Sequence, residues 1–194
     1  MNIDKNRMPT KLLWVDLEMT GLNAQKDVIL EVAAIVTDMS FTHLGGYESV
    51  IHQPDETLDA MGEWPKTQHG RSGLTERVRT AAKSEPQVVA EFAAFISKHF
   101  GDEPAILTGN SIHNDRIFIR QWWPQVEELL HYRMLDVSSF KILMQGRYGL
   151  NYQKSDNHRA QGDIQESMAE LEYYLDWFKK TGVQDTYAST SSPV

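Results

Sequence analysis

Apolar positions along the chain follow two rhythms, and the change from one to the other divides it. Leu12 to Leu17 is apolar and β-prone apart from Asp16, which predicts a buried strand. Met19-Thr20-Gly21 ends it with turn chemistry. Val28 to Thr37 predicts a second strand, with a helix left open by its alanines, and Gly45 to His52 completes an antiparallel hairpin. Pro54 to Arg79 is polar and broken by Gly62, Pro65, Gly70 and Gly73, so short helical turns and loops are expected. From Gln87 to Phe100 the period changes. Val88, Val89, Phe92, Ala93, Phe95 and Ile96 recur close to the 3.6-residue repeat of an amphipathic helix. Pro104 to Thr108 predicts a short strand and Gly109-Asn110 a turn. Ser111 then stands as the N-cap of a helix through Trp122, and Pro124 starts another. Met134 to Val137 predicts a strand and Ser138 to Gln145 a helix, with Arg147 to Asn157 a polar connection. Ile164 to Lys179 carries Ile164, Met168, Leu171, Leu175 and Phe178 as the apolar stripe of a final helix. A leading meander followed by alternating helices and strands predicts an α/β fold, one mixed β-sheet flanked by helices.

Composition bounds this picture. A chain of 194 residues makes about one domain at ~150 residues each. Residues 1–10 are expected to be a flexible N-terminus, 11–180 the domain, and 181–194 a mobile tail. Hydrophobic residues at 41% supply a core and exclude global disorder. There is no apolar run of transmembrane length and no signal-peptide pattern at the start. Zero cysteines exclude disulfides, thiolate metal sites and cysteine nucleophiles; this fits a reducing compartment, and a cytoplasmic location is expected. The net charge of −8 argues against a long polyanionic partner, which calls for a basic surface.

Candidate chemistry lies in the carboxylates. Asp16 and Glu18 are two apart at the end of a strand, so they share a face. A charge within an apolar strand is costly unless it is paired or binds metal; an ion pair is the plain alternative. Asp115 and Asp163 fall in first helical turns, where an acid also serves the helix dipole. His158 lies five residues before Asp163; the two diverge on one helix and converge when His158 stands in the loop before it. Taken together, four carboxylates make a hard oxygen site suited to Mg²⁺ or Mn²⁺. Two such ions about 3.5–4 Å apart can clamp a phosphodiester, with a histidine taking the proton of the attacking water.

Four segments carry a resemblance: WVDLEMTGL (Trp14 to Leu22), GNSIHNDRIF (Gly109 to Phe118), HYRMLDVSS (His131 to Ser139) and HRAQGD (His158 to Asp163). In this order they resemble the oligoribonucleases among the DEDDh 3′→5′ exonucleases. Their spread over roughly residues 11–180 implies an RNase H-like fold in a single domain. The resemblance implies that Asp16, Glu18, Asp115 and Asp163 hold two divalent ions and that His158 is the general base. Many relatives carry an acid immediately before the last aspartate; here Gly162 stands there, leaving Asp163 as the nearby candidate. The resemblance further implies a homodimer that cuts dinucleotides and other very short RNA to 5′-mononucleotides.

Substrate contacts are implied in the same way. Leu22 would wedge between two bases; Trp64, and Tyr132 of the partner subunit, would stack on them. Ser111, Arg133 and Ser138 would cap the 5′-phosphate, with His69 joining from the partner. Each has a plainer role open to it: Leu22 in a core, Tyr132 and Arg133 at a helix end, Ser111 and Ser138 as N-caps. Trp122 and Trp123 suit an interface or a core equally. Two other functions compete, a broader nuclease trimming longer RNA or DNA, and a non-catalytic nucleotide-binding dimer. A basic track would mark the first, and the basic residues are dispersed, with only Arg71, Arg77, Arg79 and Lys83 mildly clustered.

Overall fold

The computed structural model describes residues 9–153 and 160–182. Of the flexible start expected over residues 1–10 and the mobile tail expected over 181–194, residues 1–8 and 183–194 lie outside these, as does His158. Five strands form one mixed sheet: β1 (Lys11–Met19), β2 (Ile29–Asp38), β3 (His43–Val50), β4 (Ala105–Gly109) and β5 (Leu130–Asp136). Their order is β3-β2-β1-β4-β5; the first three form an antiparallel meander, and β4 and β5 run parallel to β1. The predicted α/β architecture is therefore present.

Eight helices accompany the strands among the described residues: α1 (Asp55–Asp59), α2 (Glu63–Ser72), α3 (Leu74–Thr80), α4 (Glu85–Phe100), α5 (His113–Trp122), α6 (Pro124–Glu127), α7 (Val137–Tyr148) and α8 (Ala160–Lys180). Strand alternation sorts the two faces of the sheet. Leu13, Val15 and Leu17 pack with Phe92, Ile96 and Phe118 of α4 and α5, while Leu12 and Trp14 pack with Val137, Ile164 and Leu171 of α7 and α8. Asp16 and Glu18 continue the second set, so they emerge on the face covered by α8. The segment expected to be short helical turns and loops forms three short helices, more continuous than expected. Leu58, Met61, Leu74 and Val78 bury themselves against Leu30 of β2, and tertiary burial stabilises helices that a Gly-rich sequence leaves unpredicted.

Other boundaries differ for local reasons. α4 starts at Glu85 because Ser84 and Gln87 form a reciprocal capping box. β5 begins at Leu130, four residues before the apolar run that predicted it, because it is an edge strand whose residues Tyr132 to Met134 are exposed. Arg147 and Tyr148, expected in a connection, close α7, which ends on Gly149 at φ 69°. Trp123 is buried in the core and Trp122 half-buried, its Nε1 donating to the Asp27 carbonyl at 3.0 Å. That resolves the tryptophan pair in favour of the core.

Candidate active site

The carboxylates meet at the C-terminal end of β1. β4 pairs with β1 only as far as Trp14, then turns away at Gly109, where a Cβ would stand 2.9 Å from the Val15 carbonyl. The edge of β1 beyond that point is taken by a side chain: the Leu17 amide donates to Asp115 Oδ1 at 2.9 Å. α5 thus presents Asp115 from one side of the sheet and α8 presents Asp163 from the other. Carboxylate oxygens of Asp16, Glu18 and Asp163 all lie within 4.8 Å of one another. Asp115 is buried just outside that triad, near enough for its charge to act on Asp16.

The electrostatics are those of closely packed, buried negative charge. Burial raises the Asp16 carboxyl well above the usual range, and the charges of Asp115, Glu18, Asp163 and Glu31 raise it further. Glu18 is pushed up to about 7 by burial, then by Glu31 and Asp163. Asp115 also reaches about 7, because burial outweighs the stabilising amide hydrogen bond from Leu17. An all-oxygen donor set under such mutual repulsion fits a hard divalent cation, which relieves the repulsion on binding.

The other predicted residues surround this cluster. Leu22 is 81% exposed on the loop after β1, and that loop is not loose. Asp27 accepts from the Thr20 hydroxyl at 3.0 Å and from the Asn23 amide at 2.8 Å, its carboxylate lying where a Gly21 Cβ would have to be. Trp64, in the first turn of α2, is 71% exposed. Tyr132 and Arg133 stand exposed on β5, the guanidinium 5.1 Å from the Tyr132 ring centroid, so neither ends a helix.

Ser111 is not the side-chain N-cap predicted for α5. Its backbone adopts φ 50°, Ile112 occupies the cap position, and the Ser111 hydroxyl lies 3.1 Å from Ser138 Oγ. Nor does Ser138 cap α7. Asp136 does, accepting from the Ser138 amide at 2.9 Å and from the Ser111 amide at 3.0 Å. Both serines are thereby freed from helix capping and face each other across the ends of β4 and β5. Asp136 was missed as a positioning residue because an acid after a short strand looks like any helix cap.

His69 departs from its expected role. Its ring is 4% exposed on α2; Nε2 donates to the Met19 carbonyl at 2.9 Å and Nδ1 lies 3.9 Å from Glu18 Oε2. A ring buried against its own β1 is not available to a phosphate in a partner's site, so the expectation that His69 joins that cap is not met. Glu31 is a further residue that sequence reasoning missed. It is buried on β2 directly across from Glu18 and takes an ion pair from Arg77 of α3. Its signal, a lone acid in the apolar run VILEVAAIV, was present in the sequence.

A mixed sheet with carboxylates converging on the end of its central strand defines a nuclease of the exonuclease class, and the RNase_T exonuclease family model matches residues 13–171. The chain belongs to the oligoribonuclease family within that class. It is 44% identical over 177 residues to the oligoribonuclease of Pseudomonas paraeruginosa, covering 89% of this chain and 98% of that one. It is 42% identical over 174 residues to that of Thiobacillus denitrificans, covering 88% and 96%. The human mitochondrial oligoribonuclease is 41% identical over 172 residues, 86% of this chain and 73% of that protein. Among solved structures, exonuclease I from Methylocaldum szegediense superposes with a TM-score of 0.61 at 16% identity, over 84% of this chain and 40% of the other. The chain spans less than half of such exonuclease I chains, and at that identity the likeness concerns the fold.

Proposed function

We propose that this chain is a 3′→5′ exoribonuclease that hydrolyses very short oligoribonucleotides, dinucleotides above all, to 5′-mononucleotides. The observation that carries the reading is the convergence of Asp16, Glu18 and Asp163 oxygens within 4.8 Å, with Asp115 buried beside them, in a chain of this family. These four residues would hold two divalent ions, Mg²⁺ or Mn²⁺. When bound, the ions neutralise developing charge on the phosphoryl oxygens. The carboxylates orient the reacting phosphate, and His158 serves as the general base toward the attacking water.

Leu22 and Trp64 supply apolar surfaces for the two bases, and Tyr132 does so for the partner's site in a homodimer. Ser111, Ser138 and Arg133 receive the 5′-phosphate. Ser111 and Ser138 lie just beyond the ends of β4 and β5, with Arg133 exposed on β5 itself, a placement that supports a closed far end, which limits substrate length by geometry. The surface charge agrees with this. Of the mildly basic run, Arg77 pairs with Glu31 and Glu48, Arg79 with Asp55 and Glu76, and Lys83 with Glu91, so these bases form no track for a long strand. No helix among the described residues is long and apolar enough to cross a membrane. The reading keeps the cytoplasm as the compartment, on the cysteine count.

The test is a turnover series on 5′-phosphorylated RNA from two nucleotides upward, with Mn²⁺ and with chelator. The dinucleotide is expected to be the best substrate, and chelator to abolish its conversion. Faster turnover of long strands would instead support the broader nuclease, and binding of dinucleotide without cleavage a non-catalytic module.

A further inference from the structure

A second polar group lies inside the layer between the sheet and α8, and nothing above uses it. Glu170 of α8 is 0% exposed. Burying a carboxyl is costly unless donors meet it, and here they do. The Tyr174 hydroxyl donates to Oε1 at 2.9 Å, Asn110 Nδ2 donates to Oε2 at 3.1 Å, and Lys141 Nζ stands 3.7 Å from Oε1.

The consequence falls on Asn110, in the turn after β4. An amide offers an oxygen on one side and an NH₂ on the other, and only the NH₂ can face a carboxylate. Asn110 Nδ2 donates as well to Ser167 Oγ at 2.9 Å, whose own hydroxyl donates to the Asp163 carbonyl at 2.9 Å. The NH₂ group is therefore engaged on the α8 side, and Oδ1 is turned toward Ser138. The Ser138 hydroxyl donates to it at 3.2 Å. Ser138 Oγ accepts in turn from the Ser111 amide at 2.9 Å.

We propose that Glu170 is a positioning residue for phosphate recognition: it locks the Asn110 amide in one orientation, and Asn110 holds Ser138, and through it Ser111, where a terminal phosphate is received. The proposal rests on the reading above in which those serines take the 5′-phosphate. Without the carboxylate the amide is free to turn over and present NH₂ to Ser138, and the serine pair loses its fixed donor pattern. A purely structural Glu170 would instead affect every substrate alike.

The test compares steady-state kinetics on one dinucleotide in its 5′-phosphorylated and 5′-hydroxyl forms, with Mn²⁺ present. The wild-type protein is expected to show a lower KM for the phosphorylated form. Glu170→Met, which removes both acceptor oxygens where a glutamine would keep one for the Asn110 NH₂, is expected to raise that KM about 5–10-fold, the size of one lost hydrogen bond, while shifting the KM of the hydroxyl form far less. Asn110→Ala is expected to do the same with Glu170 intact. Tyr174→Phe, which removes only the contact on the other carboxyl oxygen, is expected to keep the wild-type preference. If Glu170→Met weakens both forms equally, or retains the wild-type preference, the proposal is overturned while the phosphate cap stands. Should Glu170→Met not fold, Asn110→Ala against Tyr174→Phe decides it, equal behaviour overturning the proposal. A wild-type protein indifferent to the 5′-phosphate overturns the cap and the proposal together.

Discussion

Leu22 and Trp64 are large apolar side chains left in water, 81% and 71% exposed, on segments fixed from beneath. Asp27 ties down the Leu22 loop through Thr20 and Asn23, and α2 carries Trp64. Surfaces so placed suit base stacking, which contributes ~1–3 kcal/mol per base. Trp64→Ala should raise the dinucleotide KM by about 5–150-fold on that scale, Leu22→Ala, which removes only an aliphatic contact, should raise it less, and both should leave the melting temperature almost unchanged, since neither side chain is buried. Steady-state kinetics and a thermal melt on the same samples check both halves. Asp16 makes the opposite case, since it lies where the other acids converge. Asp16→Asn should lower kcat by more than the ~10–100-fold that loss of an outer-shell partner costs a metal site, and should abolish stabilisation by Mn²⁺ in a thermal melt. Retained activity would remove Asp16 from the ion-holding set.

Between elements, the decisive relation is the early divergence of β4 from β1. Pairing stops at Trp14, which leaves the Leu17 amide for Asp115, and Gly109 makes the close crossing possible. Gly109→Ala would press a methyl group to 2.9 Å from the Val15 carbonyl, against backbone that is slow to yield. Such overpacking costs about 1–3 kcal/mol, so the melting temperature should fall by several degrees and activity should fall with it as β1 shifts. A variant as stable and active as the parent would show that the crossing is slack. β1 and β2 were legible in the sequence as continuous apolar runs because both of their faces are buried, and α4 and α8 because each shows one apolar stripe to a core. β5 and the helices α1 to α3 were less so: an exposed edge strand has no apolar pattern, and short polar helices owe their existence to Leu30, which lies far from them along the chain.

The whole molecule carries a net charge of −8, and part of that negative charge is concentrated where Asp16, Glu18, Asp115 and Asp163 meet. Glu18 and Asp115 are raised to about 7, above the ordinary carboxylate values near 4, so the metal-free folded state holds those protons more tightly than the unfolded chain does. Their stabilising contribution is complete below about pH 4 and is lost as pH rises through about 7. The chelated protein should therefore melt at lower temperature at about pH 8 than at about pH 5, Mn²⁺ should recover most of the difference, and Glu18→Gln should flatten the slope. A chelated melting temperature independent of pH would contradict the packed negative cluster. Two divalent ions would offset four of the eight net negative charges, leaving an acidic surface that tolerates a substrate of one or two phosphates better than a long strand.

Read along the chain, D-x-E at a strand end, an acid in each of two first helical turns and the four family segments were enough to choose the reaction class and to nominate Asp16, Glu18, Asp115 and Asp163, because alternation and helix position are local properties. The distances could not be read this way. Asp163 joins Asp16 only because α8 packs on the face of β1 that carries Leu12 and Trp14. Glu31 stands across from Glu18 through strand register, His69 turns inward to β1 instead of outward, and Ser111 meets Ser138 because β4 and β5 end side by side. Each of these depends on segments brought together from more than ten residues apart, where packing and register, rather than local pattern, determine which polar atoms meet.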